Sequence, residues 1–459
     1  MGLSIHKIKK QPTSVIVLIV MTILTLLFYN FFRSWKFTDP FKSDCNQYYS
    51  YLVAFFIHND LTFSFSNNYW LIKGPLGIPN VKTSLGVALV ETPFFLLGHF
   101  IAKIGGFSTD GYSAPYALSV NLGALVYVLI GLNYLRKSLL VFYKEFEVSL
   151  TIIGLFLGTN LFYYSTGMPI MSHSFLFWLF SVLIYNTIKW HKNGKFIHLC
   201  LGVLACGFIT SVRPSHAIVL LIPIFYGVFS WTTFVEKIKL LISLKLKLIL
   251  ATIIFLLPII PQLLYWKIYT GSWFYFSYTK EGFFWGDPQI WEVLFSYRKG
   301  WFLYTPLMLL SIAGMFFYNI KELKFITWVY FLIGLYILSS WWCWWYGGSY
   351  GARALIDFYP LLGFPLCFVF RKFSKNITWR VSGGIILTVF VAWNIIGTIK
   401  YNRMIYHWDS MTKESFWYGF NKISLTEEER AIFNSLLKEP DYDGALKGER
   451  DIPKLSKEK

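Results

Sequence analysis

Ionisable side chains are sparse in this sequence and gather in short polar stretches between apolar runs. The first such stretch reads Ser43-Asp44-Cys45-Asn46-Gln47-Tyr48-Tyr49. A carboxylate beside tyrosine hydroxyls, at the edge of an apolar segment, has the makings of a general base, because burial and neighbours can set its pKa. The same residues admit a local reading, in which Ser43 or Asp44 caps a helix over 48–57 that is too short to span a membrane and suits its surface. Asp39 stands directly before Pro40 and reads as a turn.

The other chemistry-bearing residues are mostly cations. His173 follows Met168-Pro169-Ile170-Met171-Ser172, and Arg213-Pro214-Ser215-His216 ends another apolar run. Arg298-Lys299-Gly300-Trp301 closes a polar stretch over 266–300, and Arg353 follows Trp344-Trp345-Tyr346-Gly347-Gly348-Ser349-Tyr350-Gly351. An arginine fork suits a phosphate, which it binds in a bidentate way, although an interfacial arginine can equally snorkel to lipid headgroups. Glycines let a backbone approach a ligand closely. No strand precedes this glycine segment, so it is not a nucleotide fingerprint. Glu91 lies inside an apolar run just before Thr92-Pro93. There an ionisable group costs roughly 2.5–3.5 kcal/mol on insertion scales and faces a cavity or a partner, unless it serves a helix break. His99, on the same run, reads as a hydrogen-bonded packing residue. Trp273, Trp285 and Trp344 could stack on sugar rings or belong to interfacial belts.

The elements that must position these residues are apolar runs at 15–32, 84–104, 115–134, 150–164, 172–188, 197–210, 217–234, 248–265, 301–317, 325–342, 358–370 and 381–399. Several fall short of the ~20 residues of a straight span. Lys7, Lys9 and Lys10 precede the first run, which has no small-residue cleavage site and reads as an uncleaved membrane helix. Basic clusters at Arg136/Lys137/Lys144, Lys189/Lys192/Lys195, Lys237/Lys239/Lys245/Lys247, Lys321/Lys324 and Arg371/Lys372/Lys375/Arg380 alternate with loops at 167–171, 213–216, 266–300 and 346–357. Putting the clusters in the cytosol, with the N-terminus, places those loops outside. The parity fails once, between the first run and 115–134. The suspect is 84–104, expected to be broken, re-entrant or interfacial. The tail, 400–459, balances acids against bases and carries one amphipathic helix over 425–437. Thr426 and Glu429 form its capping box, and Ile432, Phe433, Leu436 and Leu437 its apolar face.

Composition agrees with a membrane protein. Of 459 residues, 55% are hydrophobic, 20% aromatic and only 14% charged, against roughly 25% charged in soluble domains. The net charge of +18 lies mostly in the cytosolic clusters, so it orients the chain and is no nucleic-acid footprint. Five cysteines show no metal-ligand or disulfide spacing. HExxH and Walker A motifs are absent, and no αβ region could hold a nucleotide sugar.

Taken in order, these motifs resemble C-type membrane glycosyltransferases, the broad group with protein O-mannosyltransferases and the aminoarabinose transferase of lipid A. The likeness rests on an external loop with an Asp after the first helix, a Pro-containing stretch at Glu91-Thr92-Pro93, Leu157-Gly158-Thr159-Asn160-Leu161-Phe162-Tyr163-Tyr164-Ser165, Arg213-Pro214, and a late external loop. It is closer still to bacterial multi-pass proteins with Ser-Asp-Gly-x-x-Tyr-Tyr, Arg-Lys-Gly-Trp and Trp-Trp-Cys-Trp-Trp-Tyr-Gly-Gly segments. Here Cys45 stands where those have Gly.

The resemblance spans about residues 1–400 and implies a polyprenyl-phosphate sugar donor and inverting transfer. Asp44 would be the base. Arg298, Lys299, Arg353 and Arg213 would hold the donor phosphate, with Tyr48, Tyr49, Glu91 and His173 as further substrate-binding residues.

The expectation is thus an all-α polytopic membrane protein with about eleven transmembrane helices over 1–399. Interfacial helices sit in the first external loop, 33–83, and a soluble tail follows. It would lie in the plasma (inner) membrane, transfer sugar to an acceptor on the extracytoplasmic face, and need no metal or other cofactor that the sequence reveals. Its partners would be the lipid-linked donor, an acceptor glycan, lipid or protein, and membrane lipids. Two rivals are a transporter or flippase of lipid-linked sugars, and a non-catalytic scaffold in which Asp44 would lie far from Arg298 and Arg353.

Overall fold

The computed structural model describes residues 12–32, 41, 43–66, 68 and 70–449. Asp39 and the N-terminal lysines lie outside the described residues. The first apolar run forms one helix, α1 (Thr13–Phe32). Its start is tied to the Arg136 cluster: Ser14 N–H donates to Glu145 Oε2 at 3.1 Å, and Arg136 Nε donates to Ser14 Oγ at 2.5 Å. Next comes α2 (Asp44–Phe56), which buries Cys45, Tyr48, Tyr49, Tyr51, Leu52, Val53 and Ala54 and exposes Phe55 and Phe56. This is the amphipathic short helix expected in the first loop, begun four residues earlier.

The rest of that loop holds the two-stranded antiparallel hairpin of β1 (Ile72–Lys73) and β2 (Pro79–Asn80). An all-α expectation missed it. Its tight turn uses Gly77 at φ 78°, a conformation glycine adopts without steric cost.

The suspect run forms α3 (Gly86–Ile104), which is continuous through Pro93 rather than broken. At 19 residues it is long and apolar enough to cross a membrane. It packs antiparallel to α4 (Ala114–Leu139), with Tyr127 Oη donating to the Val90 carbonyl at 3.0 Å. Gly86 lets its first turn close on the end of the Phe196–Val212 helix, since a Cβ there would sit 2.3 Å from the Ser211 backbone.

Other runs are divided where the sequence places breakers. Residues 150–164 split at Gly158 into α5 (Glu145–Leu157) and α6 (Leu161–Thr166). A long helix, α7 (Ser172–Asn193), ends at Gly194 in the left-handed region and turns into α8 (Phe196–Val212). The run 217–234 is not one helix. A 3₁₀ segment (Pro214–Leu220) leads into α9 (Leu221–Phe225), and Ser230 then caps the separate amphipathic α10 (Trp231–Ser243). The run 248–265 is α11 (Leu246–Leu256) and α12 (Ile260–Thr270), bent by 53° at Pro258.

After the short α13 (Ile290–Phe295), Pro306 divides α14 (Trp301–Tyr304) from α15 (Leu307–Phe317). The unbroken α16 (Lys321–Ser340) follows. A 3₁₀ turn (Arg353–Phe358) then feeds α17 (Tyr359–Phe373). The span of these last two is 94% buried, against 28% for α18 (Ile377–Asn402), so α17 is the centre of the bundle and α18 its lipid-facing edge.

Among the described residues, five helices are long and apolar enough to cross a membrane, or six with the bent pair. Shorter apolar helices at Thr13–Leu27, Phe196–Val212, Pro214–Phe225 and Leu307–Phe317 accompany them.

The tail folds into α19 (Lys413–Tyr418), α20 (Glu427–Ser435) and α21 (Tyr442–Leu446). The Thr426–Glu429 capping box is present, with Thr426 Oγ1 accepting from Glu429 N at 3.2 Å. Phe433 is buried but Ile432 is half exposed, so the apolar face is narrower than its sequence suggests.

Candidate functional site

The site begins with the glycine segment after α16. Gly347 and Gly351 both sit at φ 60°, which turns the chain sharply before the Arg353–Phe358 turn. The Leu157–Ser165 motif holds this segment from below. Tyr164 Oη accepts from Tyr350 N at 2.9 Å, and Asn160 Nδ2 donates to the Tyr350 carbonyl at 3.3 Å. Tyr359 Oη in turn donates to Asn160 Oδ1 at 2.6 Å and accepts from Trp301 Nε1 at 3.1 Å. Motifs far apart in the chain therefore act as one support.

Arg353 opens the turn, buried, with Nη2 donating to Asp44 Oδ2 at 2.9 Å. Asp44 is the first residue of α2, where a carboxylate is also favoured by the helix dipole. Ser43 does not cap α2: it makes no side-chain cap bond and sits at φ 55°. The Asp44 side chain is 34% exposed against 9% for Arg353, so the pair opens toward solvent on the carboxylate side. Burial raises the Tyr48 and Tyr278 hydroxyls, Tyr278 to about 12, and the charge of Asp44 adds to both.

One turn beyond Arg353 is Asp357, which the sequence reading used only as a loop boundary. It is fully buried and serves three donors. Oδ1 meets His173 Nδ1 at 2.9 Å; Oδ2 meets His216 Nε2 at 2.9 Å and accepts from Arg213 Nη1 at 3.4 Å. The Arg213 guanidinium also faces the Tyr346 ring at 5.9 Å. His173, Arg213 and Arg353 are thus brought together by one short turn. Among the described residues His173 Nε2 has no hydrogen-bond partner. Asp357 was missed because an acid at the end of an aromatic run shows no local signature; its i+4 spacing from Arg353 was the only signal.

The remaining candidates are placed differently. Lys299 is buried, and its Nζ donates to the carbonyls of Ser349 and Trp408, so it fastens the glycine segment to the tail. Burial lowers its pKa well below the usual lysine value; Asp409 opposes this, and Arg353 and Arg298 add to it. The Arg298 guanidinium lies over the rings of Trp345 at 5.3 Å and Trp344 at 6.0 Å. Trp344 is consequently buried rather than part of an exposed stacking surface, while Trp273 and Trp285 are half exposed.

Tyr49 is turned into an aromatic cluster with Phe41 and Phe95, and its hydroxyl donates to the Gly111 carbonyl. Glu91 is buried on α3, neither oxygen having a hydrogen-bond partner among the described residues. It stands behind the start of α2: burial raises the Cys45 thiol, with Asp44 and then Glu91 adding. His99 Nδ1 meets Tyr116 Oη at 2.5 Å, as a packing histidine would.

Loop 266–300 is fixed over the site by residues the sequence did not single out for this role. Lys82 pairs with Glu281, Glu281 Oε2 accepts from Trp342 Nε1 at 2.9 Å, and Ser277 Oγ donates to the Lys82 carbonyl at 2.5 Å.

Two motif spellings also escaped the sequence reading. Gly347-Gly348-Ser349-Tyr350-Gly351 spells GxSxG, but the Ser349 hydroxyl is buried on backbone carbonyls, with Gly351 at 3.2 Å. Asp441-Tyr442-Asp443 spells DxD, but Asp441 caps α21 through Gly444 N at 2.8 Å, and Tyr442 Oη donates to Asp409 Oδ2 at 2.9 Å. Among the described residues no three His, Cys, Asp or Glu converge as metal ligands.

No protein-family model matches the chain, and no curated protein sequence does. A solved structure does: ArnT from Cupriavidus metallidurans in the apo state, with a TM-score of 0.54 and 11% identity over 95% of this chain and 73% of that one. At that identity the likeness is one of fold: the chain is a helical membrane protein with an ArnT-like architecture.

Proposed function

We propose that this protein is a membrane glycosyltransferase that moves a sugar from a polyprenyl phosphate to an acceptor on the extracytoplasmic face. The reading is carried by the Asp44–Arg353 pair, which joins residues 309 positions apart at 2.9 Å, one turn before the Asp357 carboxylate that holds Arg213. The shared fold with ArnT and the ordered motifs that resemble C-type glycosyltransferases support it. A scaffold has no need to bring these groups together.

In the reaction, Asp44 takes the proton of the acceptor hydroxyl as its oxygen attacks the anomeric carbon. The bond from that carbon to the phosphate oxygen breaks, and the phosphate leaves with the electron pair. Arg353, with Arg213 beside it, neutralises the charge that builds on the leaving group. The Asp44 carboxylate holds one nitrogen, Nη2, of the Arg353 guanidinium. A donor phosphate competes for Arg353 and frees Asp44 to act as base, which couples donor binding to base activation.

The test is transfer in proteoliposomes from a panel of radiolabelled polyprenyl-phosphate sugars. Asp44→Asn should lower transfer by about 10²–10⁴-fold, the usual span of a general base, with donor retention largely kept. Full activity in this variant would overturn the assignment of the base. Sugar-lipid flux without covalent product would favour a flippase.

A further inference from the structure

The cavity furthest from the site just described lies at the other end of α7. His173 is in the first turn of that helix and His191 in its last, so the two ends stand about 27 Å apart along an α-helical rise. There, a cavity of about 460 Å³ is lined by His191 and Lys192 of α7, Tyr226 at the end of α9, Glu236 and Lys237 of α10, and Glu322 of α16. Lys237 is 6% exposed, and its Nζ is in contact with His191 Nε2. His191 Nδ1 meets the Thr187 carbonyl at 2.8 Å, so its Nε2 faces Lys237 as an acceptor. Among the described residues no carboxylate reaches Lys237 within ion-pair distance. Buried charges are ordinarily paired, so a lysine without a counter-charge at a cavity wall is costly unless something anionic completes it.

The rim points to where that anion comes from. Trp231 is 77% exposed and Ile242 68%, and Ile238 and Leu240 are also exposed, so α10 presents an apolar face beside the cavity. Its Lys237 and Lys239, with Lys245 and Lys247 just after it, form the cluster that the charge pattern places in the cytosol. A basic amphipathic helix with exposed Trp and Leu is the build of an element lying in the membrane interface.

We propose that this cavity binds a phosphate group, with Lys237, held in place by His191, as its ligand, and that the group is the headgroup of an inner-leaflet phospholipid whose chains lie along α10. Burial by itself pushes Lys237 down to about 8, and a phosphate oxygen would offset that penalty. Glu236 and Glu322 on the same wall disfavour a second anion and hold the site to one headgroup.

The experiment uses the full chain purified in a neutral detergent. Thermal unfolding is followed with phosphatidylglycerol in mixed micelles, phosphatidylcholine in mixed micelles, or inorganic phosphate alone, and retained lipid is counted by native mass spectrometry. Phospholipid should raise the Tm and stay bound at one copy per chain. Lys237→Met should weaken that retention about tenfold, the loss of one charge-assisted hydrogen bond, and Lys237→Arg should largely keep it. An equal rise with inorganic phosphate alone supports the phosphate site and assigns it to a soluble ligand. The proposal is overturned if no arm shifts the Tm, or if Lys237→Met retains lipid as the unchanged protein does. Asp44→Asn, at the opposite end, should leave this binding intact, which separates it from the proposed transferase reading.

Discussion

Arg353 and Asp357 show how much chemistry one turn of backbone can organise. Arg353 faces the Asp44 carboxylate outward, and Asp357 gathers His173, His216 and Arg213 inward. The two roles respond differently to substitution. Arg353→Lys keeps the charge but loses the planar fork, so donor binding should fall about tenfold or more while folding survives; retention of labelled polyprenyl-phosphate sugar measures this. Asp357→Asn leaves the Arg213 cation without its carboxylate in a buried setting. It should destabilise the protein by about 3 kcal/mol, seen as a lowered Tm in detergent. A stable Asp357→Asn protein with normal transfer would show that the cluster neither supports nor positions the site.

Among these residues, Asp44, Arg353, Arg213 and His173 were legible as candidates because each is an ionisable group at the end of an apolar run. Their partners were not legible. Nothing local marks Asp357 as the acceptor of three donors, or Lys299 as a ligand of backbone carbonyls. Hydrogen-bond partners are chosen by packing, and every one of these pairs is separated by tens to hundreds of residues.

At the scale of elements, breakers decided where runs became helices. Pro258, Pro306 and Gly158 divide their runs where the sequence carries them, whereas Pro93 sits within an unbroken α3. Helix packing against α4 supports α3 on both sides of the proline, and neighbouring helices commonly tolerate such a residue in membrane spans.

The glycine segment is the element on which the site depends. Gly351 has φ 60°, and a Cβ there would lie 3.0 Å from the Tyr304 Cβ. Gly351→Ala should therefore cost about 1–3 kcal/mol and lower transfer more than a surface substitution does, because it displaces the turn that carries Arg353. Unchanged Tm and activity would mean the turn adapts without strain.

The molecule as a whole is closed at this end by its own tail. Trp408 accepts from Lys299 and from Ser349 N, Tyr442 reaches Asp409, and Trp417 Nε1 donates to Tyr297 Oη at 3.2 Å. Burial pushes the Asp409 carboxyl up, but hydrogen bonds from His407, Ser410 and Tyr442 outweigh it and hold the carboxyl below its ordinary 3.8. The sign follows from that direction. A carboxylate with a depressed folded pKa contributes stability above its unfolded value and loses it as pH falls through the folded one. Tail docking, followed by tryptophan fluorescence, should hold above about pH 4 and weaken in stronger acid. Asp409→Asn should flatten that acid dependence. The tail packs on the face that holds the Asp44–Arg353 pair.

The sequence by itself determined the class of this protein. Apolar runs in a medium without water can only satisfy their backbones as helices or closed barrels, and lengths of ~20 residues with basic flanks select helices. It also determined the local devices: the Thr426–Glu429 capping box, the glycine turn, the amphipathic start of α2. The tertiary structure alone decided which charge meets which. Asp44 finds Arg353, and Asp357 finds two histidines and an arginine, because the bundle brings the starts of α2 and α7 and the end of α8 onto one turn before α17. That placement depends on how side chains pack across helices, and no spacing along the chain encodes it locally.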